Sequence, residues 1–282
     1  MILPDFVLPS RVNQHWKYSG LDSPDLCLDK KHFNSYPYTI DYLYNSRGYR
    51  DQEWPTQLNQ LKHALWCIGD SFTVGLGSPV EHTWPYILQQ QTGQRTINVS
   101  MDGASNNWIA RCVNLIQKEI DPKNIIVMWS YVHRREHKNP NLDSEQRRLH
   151  FDESDNLQDL RNLESCMAMI AHSRIIHLAI PEYAPTEDYQ SVWQNIRGVD
   201  WPDLVPSTLD ELLALPKFVQ TELKEKFKLW TDLQQSMGSQ LLQSELENNF
   251  IKVNRLDLAR DAHHFDLITA QWVVDQIVPR LI

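Results

Sequence analysis

Three residues in this 282-residue chain have the types and the placement for acyl chemistry: Ser71, Asp261 and His264. Ser71 stands in the stretch Leu65-Trp66-Cys67-Ile68-Gly69-Asp70-Ser71-Phe72-Thr73-Val74-Gly75-Leu76-Gly77. An apolar run stops at Gly69, the serine follows two residues later, and glycines and a helical pattern come next. A serine hydroxyl is a weak nucleophile until a neighbouring base takes its proton, and the base needs an acid to orient it. There are 11 histidines, so position must choose among them. Asp261-Ala262-His263-His264-Phe265-Asp266 follows the last apolar run and precedes the last helical pattern. Asp261 and His264 are three apart, so one tight turn presents both toward Ser71. The residues alone leave blander roles open. Ser71 also reads as a turn residue or helix cap, and His263 or His264 as part of a solvated loop capping the C-terminal helix.

The elements that must position these groups are legible as periodicities. Five apolar runs read as buried strands: Ala64–Ile68, Thr96–Val99, Asn124–Trp129, Arg174–Ile180 and Phe250–Val253. Most lack polar alternation, as strands covered on both faces do. Helical patterns lie between them. One is near 82–92 (Trp84, Ile87, Leu88), a second near 105–119, and a third runs from Leu157 to about His172. The last spans Leu267–Leu281, with Asp266 as its N-cap. Alternation of strand and helix predicts an α/β fold with a parallel sheet between helical layers. In such sheets ligands bind beyond the carboxyl ends of the strands, where Ser71 and the Asp261–His264 loop both fall. There the Ser71 N–H would point with its hydroxyl, as oxyanion binding requires.

Two segments exceed this minimum. Residues 1–60 read as an extension packed on the main domain, with Tyr38, Ile40, Tyr42 and Tyr44 alternating as a short strand before an Asn45-Ser46-Arg47-Gly48 turn. Residues 181–249 exceed one crossover and read as a helical insertion, its long amphipathic helix near 217–248 preceded by a loop carrying Trp193 and Trp201. Residues 61–282 then form one elaborated domain.

Composition narrows the partners. Formal net charge is −9, which disfavours nucleic acid as the main partner. No apolar run approaches the roughly 18 residues of a membrane span. Cys27, Cys67, Cys112 and Cys166 form no Cys-x-x-Cys pair, so no zinc or dithiol site is expected, and Cys67 reads as a buried small hydrophobe. The glycines after Ser71 complete neither a phosphate loop nor a dinucleotide fingerprint. The N-terminus lacks a signal-peptide pattern, and a cytoplasmic location with reduced thiols is the expectation.

Gly-Asp-Ser after the first strand together with Asp-x-x-His near the C-terminus resembles the SGNH or GDSL hydrolases. Asn98-Val99-Ser100-Met101-Asp102-Gly103 matches the family's Asn-containing strand end and oxyanion glycine. The resemblance covers about residues 64 to 282, the insertion excepted. It implies a three-layer α/β/α sandwich of flavodoxin-like type with a five-stranded parallel sheet. It also implies Ser71 as nucleophile, His264 as general base, Asp261 as its orienting acid and Gly103 as an oxyanion donor. Members are esterases, lipases, carbohydrate O-deacetylases and some acyltransferases, and need no cofactor or metal. The Asn45–Asp51 segment and the Trp129-Ser130 strand end are further similar to SGNH-like proteins encoded by tailed phages.

One block departs from the pattern. After the third strand the family has Gly-x-Asn-Asp, whose Asn is a third oxyanion donor, whereas this chain reads Met128-Trp129-Ser130-Tyr131-Val132-His133-Arg134-Arg135. Ser130, Tyr131, His133, Asn106 and Asn107 are the substitutes within reach of the strand ends. Losing one such donor costs about 10²–10³ in rate. Trp129 in place of a glycine narrows the pocket. His133, Arg134 and Arg135 read either as a solvated loop with internal ion pairs or as a rim clamp for an anionic substrate. Trp193 and Trp201 read either as packing for the insertion or as stacking platforms for sugar rings. The expected function is a serine esterase acting on a small ester, foremost an O-acetyl group on a carbohydrate. The rivals are an O-acyltransferase with the same triad and a carbohydrate-binding or assembly module that lost the chemistry.

Overall fold

The computed structural model describes residues 6–27, 29–131, 134, 136, 165–166, 169–170, 175–180, 250–253 and 255–281. Two short strands, β1 (His15–Trp16) and β2 (Tyr42–Leu43), pair antiparallel in the N-terminal segment, with α1 (Lys30–Ser35) between them. The main sheet comprises β3 (Leu65–Gly69), β4 (Thr96–Ser100), β5 (Ile125–Trp129), β6 (Ile175–Ala179) and β7 (Phe250–Lys252). All five run parallel, in the order β4-β3-β5-β6-β7. The five apolar runs are thus the five strands, each within about a residue of its expected ends.

Every residue of β3, β4 and β5 is buried, which explains why their sequences run apolar without alternation. Among the described residues, the helices that accompany this sheet are α2 (Ser71–Val74), α3 (Trp84–Thr92), α4 (Asn106–Glu119) and, after β7, α5 (Leu267–Ile277). The chain steps from β3 outward to β4, then back past β3 to β5. Right-handed crossovers in opposite directions put α3 and α4 on opposite faces of the sheet. Accordingly α3 packs on α5, and α4 on β3 and β5. This strand order is the flavodoxin-like one, whose ligand crevice opens where the order reverses, between β3 and β5.

The N-terminal segment has its own small core of Ile40, Tyr42 and Tyr44, closed by Val74 and Leu76 from the main domain. The expected alternation is present, but only Tyr42 and Leu43 pair as strand. The Asn45–Gly48 turn is closed by Gly48 N–H donating to Asn45 O (2.9 Å).

One capping expectation is corrected. Asp266 sits at the N-cap of α5 but makes no side-chain cap. Its carboxylate instead accepts from Tyr36 Oη (2.7 Å) and Ser78 Oγ (2.9 Å) and meets His82 Nδ1 (2.8 Å). The first-turn N–H groups of Ile268 and Thr269 donate to Asp257 (2.7 and 3.1 Å), a residue reaching in from the preceding loop. All four cysteines are free and buried. No helix among the described residues is long and apolar enough to cross a membrane. The expected 217–248 helix, the rest of the 181–249 insertion, and most of the 157–172 helix lie outside the described residues.

Candidate active site

The chain leaves β3 through Gly69 and turns at once into α2. A Cβ on Gly69 would lie 2.1 Å from Thr73 Oγ1 and 3.1 Å from Met128 O, so only glycine lets α2 fold back this closely on the sheet. Asp70 is the N-cap, its Oδ1 accepting from Phe72 N–H (3.1 Å). Ser71 is the first residue of the helix and is buried. The far end of α2 is held by fully buried Arg50, which donates through Nη1 to Gly75 O (2.6 Å) and Val74 O (3.2 Å), and through Nη2 to Ser78 O (2.9 Å). Asn98, from β4, donates to Thr73 O (3.1 Å). The nucleophile candidate therefore rides on a turn fixed from three sides.

The second half of the site comes from the loop between β7 and α5. Ala259 N–H donates to His264 O (2.9 Å) and Ala262 N–H to Ala259 O (3.0 Å), closing a compact turn. Asp261 Oδ1 accepts the N–H groups of His263 (3.0 Å) and His264 (2.9 Å), while Oδ2 meets His264 Nδ1 at 2.6 Å. His264 Nε2 in turn lies 2.8 Å from Ser71 Oγ. Serine, histidine and aspartate thus form one continuous buried hydrogen-bonded line. Burial pushes the Asp261 carboxyl upward, but His264 and the backbone donors outweigh it and hold the group below its usual range. Phe72 packs its ring 4.5 Å from that of His264, which fixes the imidazole plane. His263 lies edge-on to His264 at 4.5 Å, and does not take the place beside Ser71. Burial, with His264 and Arg134 nearby, depresses His263 to about 3, so it is a neutral wall at physiological pH.

Behind Ser71 the ends of β3 and β5 are joined by a polar cluster. Asp70 Oδ2 accepts from Ser130 Oγ (2.7 Å) and pairs with Arg134 Nη1 (2.7 Å), which also donates to Ser130 Oγ (2.8 Å). Burial raises the Asp70 carboxyl against the opposing pull of Arg134 and Ser130. Asn106 accepts from Ser130 N–H (2.9 Å) and donates to Ser130 O (3.1 Å), pinning α4 to the end of β5. Asn106 and Ser130, two of the expected substitutes for the missing oxyanion donor, therefore have their polar atoms committed to this cluster. Arg134 is likewise paired with Asp70 rather than standing free as a rim clamp. Trp129 is fully buried, its ring nearly parallel to that of His177 and its Nε1–H donating to His177 Nδ1 (3.0 Å).

Gly103 lies in the turn after β4 with φ +69°. That turn is tied to the end of β3 by Met101 N–H donating to Gly69 O (3.2 Å). Tyr131 lies edge-on to Phe72 with Arg134 over its ring, and Asn107 donates to Cys166 Sγ (3.5 Å). His133, Arg135, Trp193 and Trp201 lie outside the described residues. The Asp70–Arg134 pair and the role of Arg50 were not visible in sequence, because each joins segments far apart in the chain and neither falls in a periodic pattern. Among the described residues no group of three His, Cys, Asp or Glu is arranged to hold a metal ion.

Neither a protein-family model nor a curated protein matches the sequence. Solved structures do. One is TesA, at 13% identity over 77% of this chain and 97% of that one, with a TM-score of 0.40. A second is a lipolytic protein of the G-D-S-L family from Desulfitobacterium hafniense DCB-2, at 14% identity over 77% and 99%, with a TM-score of 0.38. A third is a family two carbohydrate esterase from Clostridium thermocellum solved with cellohexaose, at 10% identity over 77% and 63%, with a TM-score of 0.38.

Proposed function

We propose that the chain is a serine ester hydrolase of SGNH type. The observation that carries this reading is the unbroken line from Ser71 Oγ through His264 to Asp261 at the mouth of the sheet. A hydroxyl 2.8 Å from an imidazole nitrogen has a base in place, and the second imidazole nitrogen has an acceptor that fixes its tautomer. Ser71 Oγ attacks the ester carbonyl carbon as His264 Nε2 takes its proton. The tetrahedral oxyanion is held by the N–H groups of Ser71 and Gly103. The carbon–alkoxy bond then breaks, and His264 returns the proton to the departing alkoxide. Water, deprotonated by His264, attacks the acyl-serine carbonyl; the bond to Ser71 Oγ breaks, His264 returns the proton to that oxygen, and the carboxylic acid leaves. Asp261 stabilises the imidazolium formed twice in each cycle.

Ser71 is buried, and the neighbouring Phe72 ring is itself packed against His263 and Tyr131, which supports a small acyl group such as acetyl. For the alcohol we put forward a carbohydrate hydroxyl, in keeping with the resemblance to a family that includes carbohydrate O-deacetylases. The test is hydrolysis of p-nitrophenyl acetate, followed by acetate release from O-acetylated oligosaccharides, by wild type, Ser71→Ala and His264→Ala. Each variant should lose on the order of 10⁴-fold or more in kcat. Wild-type turnover no faster than that of Ser71→Ala would end this reading.

A further inference from the structure

The turn that carries Asp261 and His264 holds a conformation it does not favour on its own. Ala262, between them, has φ +57°, a left-handed backbone for a residue with a Cβ. Such a conformation costs about 1–3 kcal/mol and persists only where the surroundings over-determine it. The surroundings here come from the N-terminal segment. Arg260, immediately before Asp261, sends Nε and Nη2 (2.9 Å) to the carboxylate of Asp22, which is fully buried. The same guanidinium donates to Lys17 O (3.1 Å). Asp22 also accepts from Tyr42 Oη, and Tyr42 Oη accepts from Gly77 N–H (2.8 Å). Gly77 O then accepts from Arg260 N–H (2.9 Å).

These bonds close a ring: Arg260 side chain, Asp22, Tyr42, Gly77 and back to Arg260 main chain. The ring joins the N-terminal segment, the end of the α2 turn and the Asp261 turn. Gly77 is its contact with the triad, since a Cβ there would lie 3.0 Å from Asp261 Cγ. Two further bonds hold the ends of the same loop. His32 Nε2 donates to Ala259 O (2.7 Å) and Tyr36 Oη to Asp266 Oδ2 (2.7 Å). Buried bidentate pairing is geometrically demanding, which suits a part that must fix orientation.

We propose that Asp22 and Tyr42 are positioning residues: the N-terminal segment acts through Arg260 and Gly77 to hold Asp261 and His264 in register with Ser71. The inference rests on the serine-hydrolase reading above. It gives the N-terminal extension a catalytic purpose that packing alone would not.

The test is Tyr42→Phe, which removes one oxygen and keeps the ring, with Asp22→Asn as a second variant. Both are measured on p-nitrophenyl acetate in wild-type and His264→Ala backgrounds, with circular dichroism at the assay temperature to establish folding. A positioning role predicts a loss of about tenfold in kcat with KM within about twofold. It also predicts that the loss vanishes in the His264→Ala background, because residues acting through one group are non-additive. A folded Tyr42→Phe with wild-type kcat overturns the proposal, as does an equal loss with and without His264. Failure of the underlying reading looks different, since wild type itself would then be no faster than Ser71→Ala.

Discussion

Arg134 places Nη1 2.7 Å from Oδ2 of Asp70, the residue immediately before Ser71. The pair lies almost wholly out of water, with side-chain exposures of 12% and 0%. Removing one member of such a pair strands the other, at about 3–5 kcal/mol. Arg134→Ala should therefore lower the urea midpoint substantially, and adding Asp70→Asn should recover part of that loss. A double-mutant cycle of unfolding free energies measures the coupling. A free rim clamp would behave differently: stability would be unchanged and KM would rise for acidic esters alone.

Asn106 tests the assignment of the polar cluster. It bonds both the N–H and the O of Ser130, and all three groups are buried. Asn106→Ala leaves two main-chain groups unpaired, at about 1–3 kcal/mol each. The expected outcome is a clear drop in stability with less than the 10²-fold loss in kcat that removing an oxyanion donor brings. Denaturant unfolding and steady-state kinetics on the same preparation distinguish the two. Wild-type stability with a 10²-fold lower kcat would return Asn106 to the oxyanion site.

The sheet and the positions of Ser71, Asp261 and His264 were legible in the sequence for different reasons. β3, β4 and β5 are buried on both faces, so their apolar runs carry a strong signal whatever surrounds them. Ser71 and the Asp261–His264 turn stand out because both immediately follow strands, where the topology leaves groups facing one crevice. What the sequence did not reveal is polar and long-range. Asp22 with Arg260, Asp70 with Arg134 and Asp266 with Tyr36 join positions 238, 64 and 230 residues apart. No periodicity encodes such pairings. Asp266 shows the hazard directly: it has the residue type and the position of an N-cap, and tertiary partners take its carboxylate instead.

His177 makes stability depend on pH in a predictable direction. Burial depresses it from its ordinary 6.5 to about 4, and its Nδ1 accepts from Trp129 as a neutral ring. The unfolded chain therefore takes up this proton first. Stability is full above about 6.5 and drains as pH falls toward 4, by about 3 kcal/mol for this group. His263, depressed to about 3, contributes in the same direction and continues to lower pH. Urea midpoints between pH 7 and pH 4 (about the span of the His177 shift) should fall steadily. In His177→Asn, whose amide oxygen still accepts from Trp129, the slope should be shallower. An unchanged slope would show that His177 titrates alike in both states.

Gly77 separates backbone conformation from contact with Asp261. Its φ is +77°, and an added Cβ would lie 2.7 Å from Ala259 Cβ and 3.0 Å from Asp261 Oδ1. Gly93 supplies the control, with φ +66° and nothing within 4 Å of the same added atom. Gly93→Ala should cost only the left-handed conformation, about 1–2 kcal/mol, and leave kcat alone. Gly77→Ala carries the same conformational cost and must in addition displace Ala259 or Asp261. Its stability should fall further than that of Gly93→Ala. Its kcat should fall too, because Asp261 can yield only by moving relative to His264. Thermal unfolding and p-nitrophenyl acetate kinetics on the two variants give the comparison. Equal losses of stability with wild-type kcat in both would mean that Asp261 does not depend on Gly77 for its place.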